Sequence, residues 1–268
     1  LHGNLYDFNY SQEKVEYEHL LEIDKYILGR LEDTIARAKA AYDDYEFYMA
    51  FHTIHQFCVV DLSALYLDVI KDRVYSSLPD SLKRRSAQTV IHEILRALTL
   101  LLTPILSFTM EEVYGYLDDE HKAESVQLLD FPEANSAHAN PELMAKWERL
   151  LEVREMILKV LEKGRQEGRF GNSLGARLFL ATDDQELFDF MQDNEREFLE
   201  LAIVSRIEIE KATGSHEYEE FDGLFIKAEN IEEEKCERCW MHVEGIGEAK
   251  AHPTLCPRCA EVVERLEV

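Results

Sequence analysis

Four of the five cysteines lie close together near the end of the chain, in the pattern Cys236-x2-Cys239-x16-Cys256-x2-Cys259. The two-residue gap within each pair lets two thiolates from one tight turn reach the same tetrahedral ion, and the loop between the pairs has the length found in structural zinc sites. Two disulfides are the alternative, but the chain uses cysteine sparingly elsewhere and shows no secretory signal. The pattern predicts one structural zinc ion with no open position for a catalytic water.

The segment around these cysteines needs the ion for its stability. About 38 residues rich in Glu, Gly and Pro cannot assemble an adequate apolar core, whereas zinc supplies on the order of 10–16 kcal/mol of coupled binding and folding. His242 and His252 are near enough in sequence to replace a ligand, although each cysteine pair is complete. Cys58 lies within an apolar stripe, which is typical of a small buried thiol rather than a nucleophile.

Helical periodicity dominates the first two thirds of the chain. A first amphipathic helix is predicted from about Glu13 to Tyr42, and a second over residues 44–75. The apolar stripe of the second helix consists of Phe51, Ile54, Cys58, Leu62, Leu65 and Val69. Asp80 or Ser81 can cap a third helix from Leu82 to Thr103, and Pro104 then kinks it or restarts it as a fourth piece that runs to Leu117. Three to four long helices joined by short loops indicate a bundle.

A long connection is predicted over residues 118–140, with a possible extended run at 125–132. Pro141 can begin a helix that ends near Gly164 or Gly168 and turns its apolar residues inward. Beyond it the period changes, and short strands are predicted at 176–181, 204–210 and 223–228, with a helix around 184–201. A small α+β module therefore follows the bundle. The acidic patches at 217–223 and 230–235 are expected on loops.

The net charge of −25 would ordinarily count against a polyanionic partner, but the charge is unevenly distributed. Residues 143–180 carry eight basic against five acidic side chains, and residues 83–110 carry four against one, whereas residues 181–234 hold eighteen acidic and four basic residues. A phosphate-binding surface, if the chain has one, is therefore expected on the two basic segments, although either segment judged alone is more typical of a solvated mixed-charge helix face. The longest apolar run, Ala97 to Leu106, is too short to span a bilayer.

Two side chains beside the first cysteine pair have a possible role in base recognition. Arg238 lies between the two cysteines and Trp240 follows the second one. On a metal-fixed turn, a guanidinium and an indole could stack on or clamp an unpaired base. Alternatively, Trp240 packs over the metal as a miniature core and Arg238 is solvated. The residues alone favour neither interpretation.

The chain resembles the C-terminal part of bacterial isoleucyl-tRNA synthetases over essentially its whole length. The similarity is specific because a helical bundle and a four-cysteine finger occur here in the family's order, whereas the valyl and leucyl enzymes share only the bundle type. The segments that carry the resemblance are GNLYDF (3–8), DKYIL (24–28), FCVVDLSALYLDVIKDRVY (57–75), RRSAQTVIHEIL (84–95), TPILSFTMEEVY (103–114), ESVQLLDFP (124–132), CERCW (236–240) and HPTLCPRCAEVV (252–263).

The resemblance implies a mainly α fold in three parts. Residues 1–122 would form a helical-bundle anticodon-binding domain, residues 123–229 a junction helix with a small α+β module, and residues 230–268 a four-cysteine zinc finger. The implied partner is the anticodon stem and loop of tRNA(Ile), with Arg238 and Trp240 touching splayed anticodon bases. Many members have Pro where this chain has Glu237, which places a negative charge near that surface.

What the resemblance implies for activity concerns the parent enzyme. The family charges tRNA(Ile) with isoleucine using ATP, and its adenylation site needs HIGH-like and KMSKS-like motifs that do not occur in this chain. The chain is thus expected to recognise tRNA without aminoacylating it, in a cytoplasmic and monomeric enzyme whose catalytic and editing domains lie elsewhere.

The two basic segments supply candidate phosphate contacts, chosen by local charge alone. The candidates are Lys83, Arg84, Arg85, Lys159, Lys163, Arg165 and Arg169. Two other functions compete with RNA recognition: a zinc-stabilised scaffold that binds a protein through its acidic 181–234 surface, and a zinc-finger piece of a formamidopyrimidine-type DNA glycosylase. The glycosylases begin with a Pro-Glu pair needed for lesion chemistry, whereas this chain begins Leu-His-Gly.

Overall fold

A computed structural model describes residues 1–117, 122–211 and 217–266 of this chain. The chain divides into two compact units, Leu1–Met144 and Ala145–Val268. Residues 118–121, the start of the predicted connection, lie outside the described residues. The predicted domain boundaries after residues 122 and 229 stay predictions about which parts fold independently. No helix in the described ranges has both the length and the apolar character needed to cross a membrane.

The first unit is helical. Its helices are α1 (Tyr10–Glu13), α2 (Glu22–Asp43), α3 (Phe47–Gln56), α4 (Leu67–Val69), α5 (Lys71–Ser76), α6 (Leu82–Leu102) and α7 (Ser107–Tyr116), with a π-helical segment at Phe57–Tyr66 and 3-10 turns at His2–Leu5, Tyr17–His19, Val126–Leu128 and Ser136–His138. The predicted bundle is confirmed. The Ser81 hydroxyl accepts the Arg84 N–H at the start of α6, which confirms Ser81 as the cap.

Helix α2 begins nine residues later than predicted because the preceding backbone bonds to another helix. The N–H of Val15 donates to the Thr89 hydroxyl at 3.0 Å, and the N–H of Leu21 donates to the Ser86 hydroxyl at 3.1 Å. Both acceptors lie on α6. The bond from Leu21 satisfies a donor that a helix starting at Glu13 would have used internally, whereas Val15 would have lain in the first turn of that helix, where N–H groups have no internal partner.

The predicted second helix contains a π-helical segment, and this changes which side chains are buried. The wider i→i+5 turn shifts the phase of the apolar stripe. Phe57 is buried, Cys58 is half-buried, and Phe51 is 46% exposed, so the prediction that Phe51 belongs to the buried stripe is wrong. Burial still raises the pKa of the Cys58 thiol, which suits an unreactive side chain.

A buried polar network joins α2, the π-helical segment and α6. Asp24 is fully buried and ion-paired with Arg73. The Tyr66 hydroxyl donates to the other carboxylate oxygen at 2.7 Å, and the Ser86 hydroxyl also bonds to Asp24. The Arg73 guanidinium donates further to the Lys83 carbonyl. Each charge therefore has a partner, as burial in a low-dielectric interior requires.

Residues 122–144 pack with the helices of the first unit. Val126 lies in an apolar cluster with Leu95 and Tyr114, and the Phe131 ring stacks on Tyr42 at 5.0 Å. The predicted extended run at 125–132 is wrong, because the Glu111 carboxylate accepts from both the hydroxyl of Ser125 and the N–H of Val126 and so fixes a 3-10 turn there.

Helix α8 (Pro141–Gln166) begins within the last residues of the first unit and continues into the second. The second unit also contains α9 (Gln185–Asp193), α10 (Glu195–Ala202), α11 (Pro257–Leu266) and a four-stranded sheet. The strands are β1 (Ala176–Thr182), β2 (Arg206–Lys211), β3 (Glu219–Phe221) and β4 (Leu224–Asn230), in the order β2-β1-β4-β3. Strand β1 pairs parallel with β2 and antiparallel with β4. The predicted helix at 184–201 is two helices separated at Asn194, whose side-chain amide donates to the Phe190 carbonyl.

One acidic patch expected on a loop contains a strand instead. Asp222 and Gly223 both have positive φ, 47° and 82°, which is the geometry of a two-residue hairpin turn. The turn places Phe221 opposite Leu224 and so pairs β3 with β4. The Asp-Gly pair was the sequence signal for this hairpin.

Candidate metal centre and nucleic-acid interface

The four predicted ligands converge on one point. The Sγ atoms of Cys236, Cys239, Cys256 and Cys259 all lie within 4.8 Å of one another, and those of Cys239 and Cys256 are 3.9 Å apart. A zinc ion with four sulfurs at about 2.3 Å has sulfur–sulfur edges of about 3.8 Å. The donor set therefore fits one tetrahedral zinc ion.

Local backbone structure places each pair of cysteines. In the first pair the Trp240 N–H donates to the Cys236 carbonyl at 2.9 Å, which closes a tight turn, and a short bridge pairs Lys235 with His242. Helix α11 begins immediately after Cys256, so its first turn brings Cys259 back to the same point. Within the described part of the finger, the apolar side chains Val243, Ile246 and Leu255 pack against the cysteines.

Three of the four cysteine thiols have raised pKa values, which a bound metal ion would lower. Burial raises the pKa of Cys239 to about 11, and it also raises the pKa of Cys256 and Cys259. Burial opposes ionisation of Cys236 too, but three backbone N–H donors outweigh it and bring its pKa to about 6. At neutral pH one thiolate is ready, whereas the other three need a cation beside them.

The two nearby histidines do not join this group. The four cysteines form the group suited to a metal ion among the described residues. The Nδ1 atom of His242 lies 2.7 Å from the Glu233 carbonyl, and its backbone N–H donates to the Ser205 hydroxyl at 2.8 Å. His242 thus helps attach the finger to the sheet module.

Trp240 projects into solvent beside the metal centre. Its side chain is 60% exposed, and its φ of 66° lies in the left-handed region that non-glycine residues rarely adopt. The Lys235 ammonium lies 5.7 Å from the centre of the indole ring. This exposure differs from the alternative in which Trp240 packs as a miniature core, and it leaves an aromatic surface available for stacking.

Arg238 is half-buried and points back toward the sulfurs. Its Nη1 atom donates to the Cys259 Sγ at 3.7 Å. The equivalent arginine of the second pair is Arg258, whose side chain acts on Cys239 by lowering the pKa of that thiol against the larger effect of burial. The structure therefore separates Arg238 from Trp240, although the sequence suggested that the two could form one clamp.

The candidate phosphate contacts in the first unit differ in their environment. The Lys83 side chain is exposed, and Arg84 is half-buried with a long hydrogen bond of 3.5 Å to the Tyr6 carbonyl. Arg85 is buried: it pairs with Glu13 at 2.6 Å and donates to the Asp7 carbonyl. Arg85 consequently orders the N-terminal segment, an engagement that charge counting could not reveal.

The candidates in the second unit lie on and after α8. Lys159 and Lys163 are exposed one helical turn apart, and Lys163 also pairs with Glu219 at 3.1 Å. Arg165 makes a two-pronged ion pair with Glu162. Arg169 donates to the Ala228 carbonyl at 2.7 Å. The structure thus brings Lys159 and Lys163 together and gives the two arginines partners within the protein.

Sequence reasoning missed an exposed aromatic face on α3. Tyr48 is largely exposed and Phe51 is nearly half exposed. Each ring lies against a histidine one turn later, with 6.0 Å between the ring centres of Tyr48 and His52 and 5.6 Å between those of Phe51 and His55. The assumed α-helical phase placed Phe51 inside. The run of aromatic residues and histidines without an acidic residue between Phe47 and Val60 was the available signal.

Comparison with known proteins adds two family matches. The family described as "Anticodon-binding domain of tRNA ligase" matches residues 24–180, and the family described as "Zinc finger found in FPG and IleRS" matches residues 233–262. The first match covers more than half of the chain, and the second contains all four cysteines.

Curated relatives match along nearly the whole chain. An isoleucine–tRNA ligase of Carboxydothermus hydrogenoformans is 47% identical over 99% of this chain and 28% of its own length. Those of Moorella thermoacetica and Thermotoga neapolitana are 44% and 41% identical over 98% of the chain and 29% and 28% of their own lengths. The chain therefore spans less than a third of these relatives.

Proposed function

This chain belongs to the isoleucine–tRNA ligase family, as an anticodon-binding domain joined to a zinc finger, and we propose that it recognises the anticodon stem and loop of tRNA(Ile). The single observation that carries the proposal is the exposed indole of Trp240 on a turn closed by a metal ligand. The deep, narrow major groove of A-form RNA excludes side chains, so sequence is read at unstacked loop bases. An aromatic ring held on a fixed backbone stacks on such a base with little entropic cost.

Phosphate contacts orient the RNA for that reading. Lys159 and Lys163 form a small basic surface on α8, and Lys83 adds an exposed cation at the start of α6. The aromatic face of α3 offers further rings for stacking. The acidic balance of the remaining surface limits how many phosphates the chain can neutralise, which keeps binding sensitive to salt.

We expect Trp240→Ala to weaken tRNA(Ile) binding by about tenfold or more, because loss of one base–aromatic stack costs about 1–3 kcal/mol. Calorimetric titration of the zinc-loaded full chain measures this, with tRNA(Ile) and an anticodon-substituted version as the two ligands. The wild type should discriminate between the two RNAs, and the variant should discriminate less. Phe108→Ala removes a more exposed aromatic residue from α7 and serves as the matched control. Equal affinity in all four combinations of protein and RNA would remove the anticodon proposal.

We expect Lys159→Gln and Lys163→Gln each to reduce the slope of log affinity against log salt by about 1, since each lost phosphate contact releases one fewer counterion. Affinity for tRNA(Ile) and for the anticodon-substituted RNA should fall in equal proportion. The same titrations at several salt concentrations provide the slopes. Slopes identical to that of the wild type would show that these lysines form only a solvated helix face.

The same proposal extends to the full-length enzyme, here called the parent, that contains a region like this chain. The parent charges tRNA(Ile) with isoleucine using ATP, and this chain supplies recognition without aminoacylation. The parent is a monomer of the cytoplasm. No observation favours a protein-binding scaffold or a DNA glycosylase, and an aminoacylation assay of the chain alone, with tRNA(Ile), isoleucine and ATP, tests the assigned division of labour.

A further inference from the structure

Each of the two cysteine pairs contains its own arginine, and each arginine is directed at the opposite pair. Each pair has the form Cys-x-Arg-Cys, with Arg238 in the first and Arg258 in the second. Arg238 donates to the sulfur of Cys259 at 3.7 Å, and the Arg258 side chain, through a hydrogen bond and its charge, lowers the pKa of Cys239 against the larger effect of burial. Each arginine thus acts on the final cysteine of the opposite pair, so the two interactions are reciprocal.

This reciprocity matches the charge that the centre carries when zinc is bound. Four thiolates and one Zn²⁺ sum to about −2, and the two guanidinium groups supply +2 within hydrogen-bond reach of two of the sulfurs. Cys259 is buried and Cys239 is half-buried, so water neutralises little of that charge. Groups that bond to metal ligands from outside the coordination sphere fix the ligands' orientation and commonly change metal affinity by about 10–100-fold.

We propose that Arg238 and Arg258 are paired positioning residues of the zinc centre, which neutralise the tetrathiolate and hold the two cysteine pairs against each other. Base stacking then belongs to Trp240, and Arg238 acts on RNA only through the integrity of the finger. The role of the two arginines at the zinc centre is independent of the proposed function, whereas the division of labour between Trp240 and Arg238 toward RNA rests on it.

Zinc affinity of the full chain tests the role of the two arginines at the zinc centre without any RNA. Competition with a chelator of known affinity should show about 10–100-fold weaker zinc binding for Arg238→Met and for Arg258→Met, with partial recovery in Arg238→Lys. The cobalt-substituted protein should show a shifted sulfur-to-cobalt charge-transfer band in both methionine variants. Arg196→Met, which removes an exposed arginine of α10, is the matched control. Wild-type zinc affinity and an unshifted band in both methionine variants would overturn the proposal.

The division of labour toward RNA is tested at saturating zinc, where all variants are loaded. We expect Arg238→Met and Arg258→Met to bind tRNA(Ile) within about twofold of the wild type, while Trp240→Ala binds about tenfold more weakly. A selective loss of tRNA binding in the zinc-saturated Arg238→Met protein, absent from Arg258→Met, would show that Arg238 contacts RNA directly and would overturn this division of labour. If the proposed function itself is wrong, the result will be different: Trp240→Ala will bind tRNA(Ile) as tightly as the wild type.

Discussion

Chelation of zinc from the full chain will unfold residues 233–266 and leave the helices of the first unit folded. Among the described residues, the apolar side chains that pack against the four cysteines are Val243, Ile246 and Leu255, all of them only partly buried. A core of that size does not offset the entropy of ordering some thirty residues, so the stability of the segment comes from about 10–16 kcal/mol of metal-coupled folding.

Three measurements on one sample follow the unfolding. Elemental analysis should find one zinc per chain before chelation, and a thiol reagent should find four additional reactive thiols afterward. Limited trypsin digestion should then cut after Lys250 and Arg258 at rates far above those of the zinc-loaded protein. Cys256→Ser should reproduce the chelated state without a chelator. Cys58→Ala is the matched control and should keep its zinc, since Cys58 lies in the other compact unit.

A finger that stays folded without zinc would contradict this prediction. A protein purified without metal, whose finger resists trypsin and ignores chelator, would show that the cysteine cluster is held by packing alone. It would also remove the fixed turn on which the proposed role of Trp240 depends.

The sequence predicted those parts of the molecule whose causes are local. The spacing of four cysteines fixes the metal centre within 24 residues, and Ser81 marks the start of α6 through a bond to a residue three positions away. Helix α8 likewise begins at Pro141 as predicted, because Asn140 caps it by accepting the Leu143 N–H. Each of these signals lies inside, or directly before, the element that it specifies.

Features that depend on distant partners escaped prediction. Arg85 seemed available for phosphate because its neighbours are basic, yet its carboxylate partner, Glu13, lies 72 positions earlier. The π-helical turn of Phe57–Tyr66 also escaped prediction. Its last residue, Tyr66, donates to the carboxylate of Asp24, which lies 42 positions earlier. No periodicity within a helix reports such a partner, and local charge counts assign the side chain to solvent by default.

We expect Asp24→Asn to lower the free energy of unfolding by about 3–5 kcal/mol and the melting temperature by about 10 °C, because it leaves the Arg73 charge buried without its counterion. Asp24 has no exposed surface and serves three partners at once. Burial and the Asp24 carboxylate hold the Tyr66 hydroxyl protonated by raising its pKa, so the tyrosine remains a donor throughout the accessible pH range. The loss should therefore be similar at pH 6 and pH 8 in urea titrations.

A control on the same helix separates this effect from ordinary loss of charge. Asp33 also lies on α2 and pairs with Arg37, but both side chains are exposed, so Asp33→Asn should cost less than about 0.5 kcal/mol. Replacing both partners, as Asp24→Asn with Arg73→Met, should be less destabilising than the sum of the single variants, because the double variant contains no uncompensated buried charge. A single Asp24→Asn variant as stable as Asp33→Asn would mean that water reaches this network, and the charge pair could not then be what fixes α2 against α5 and α6.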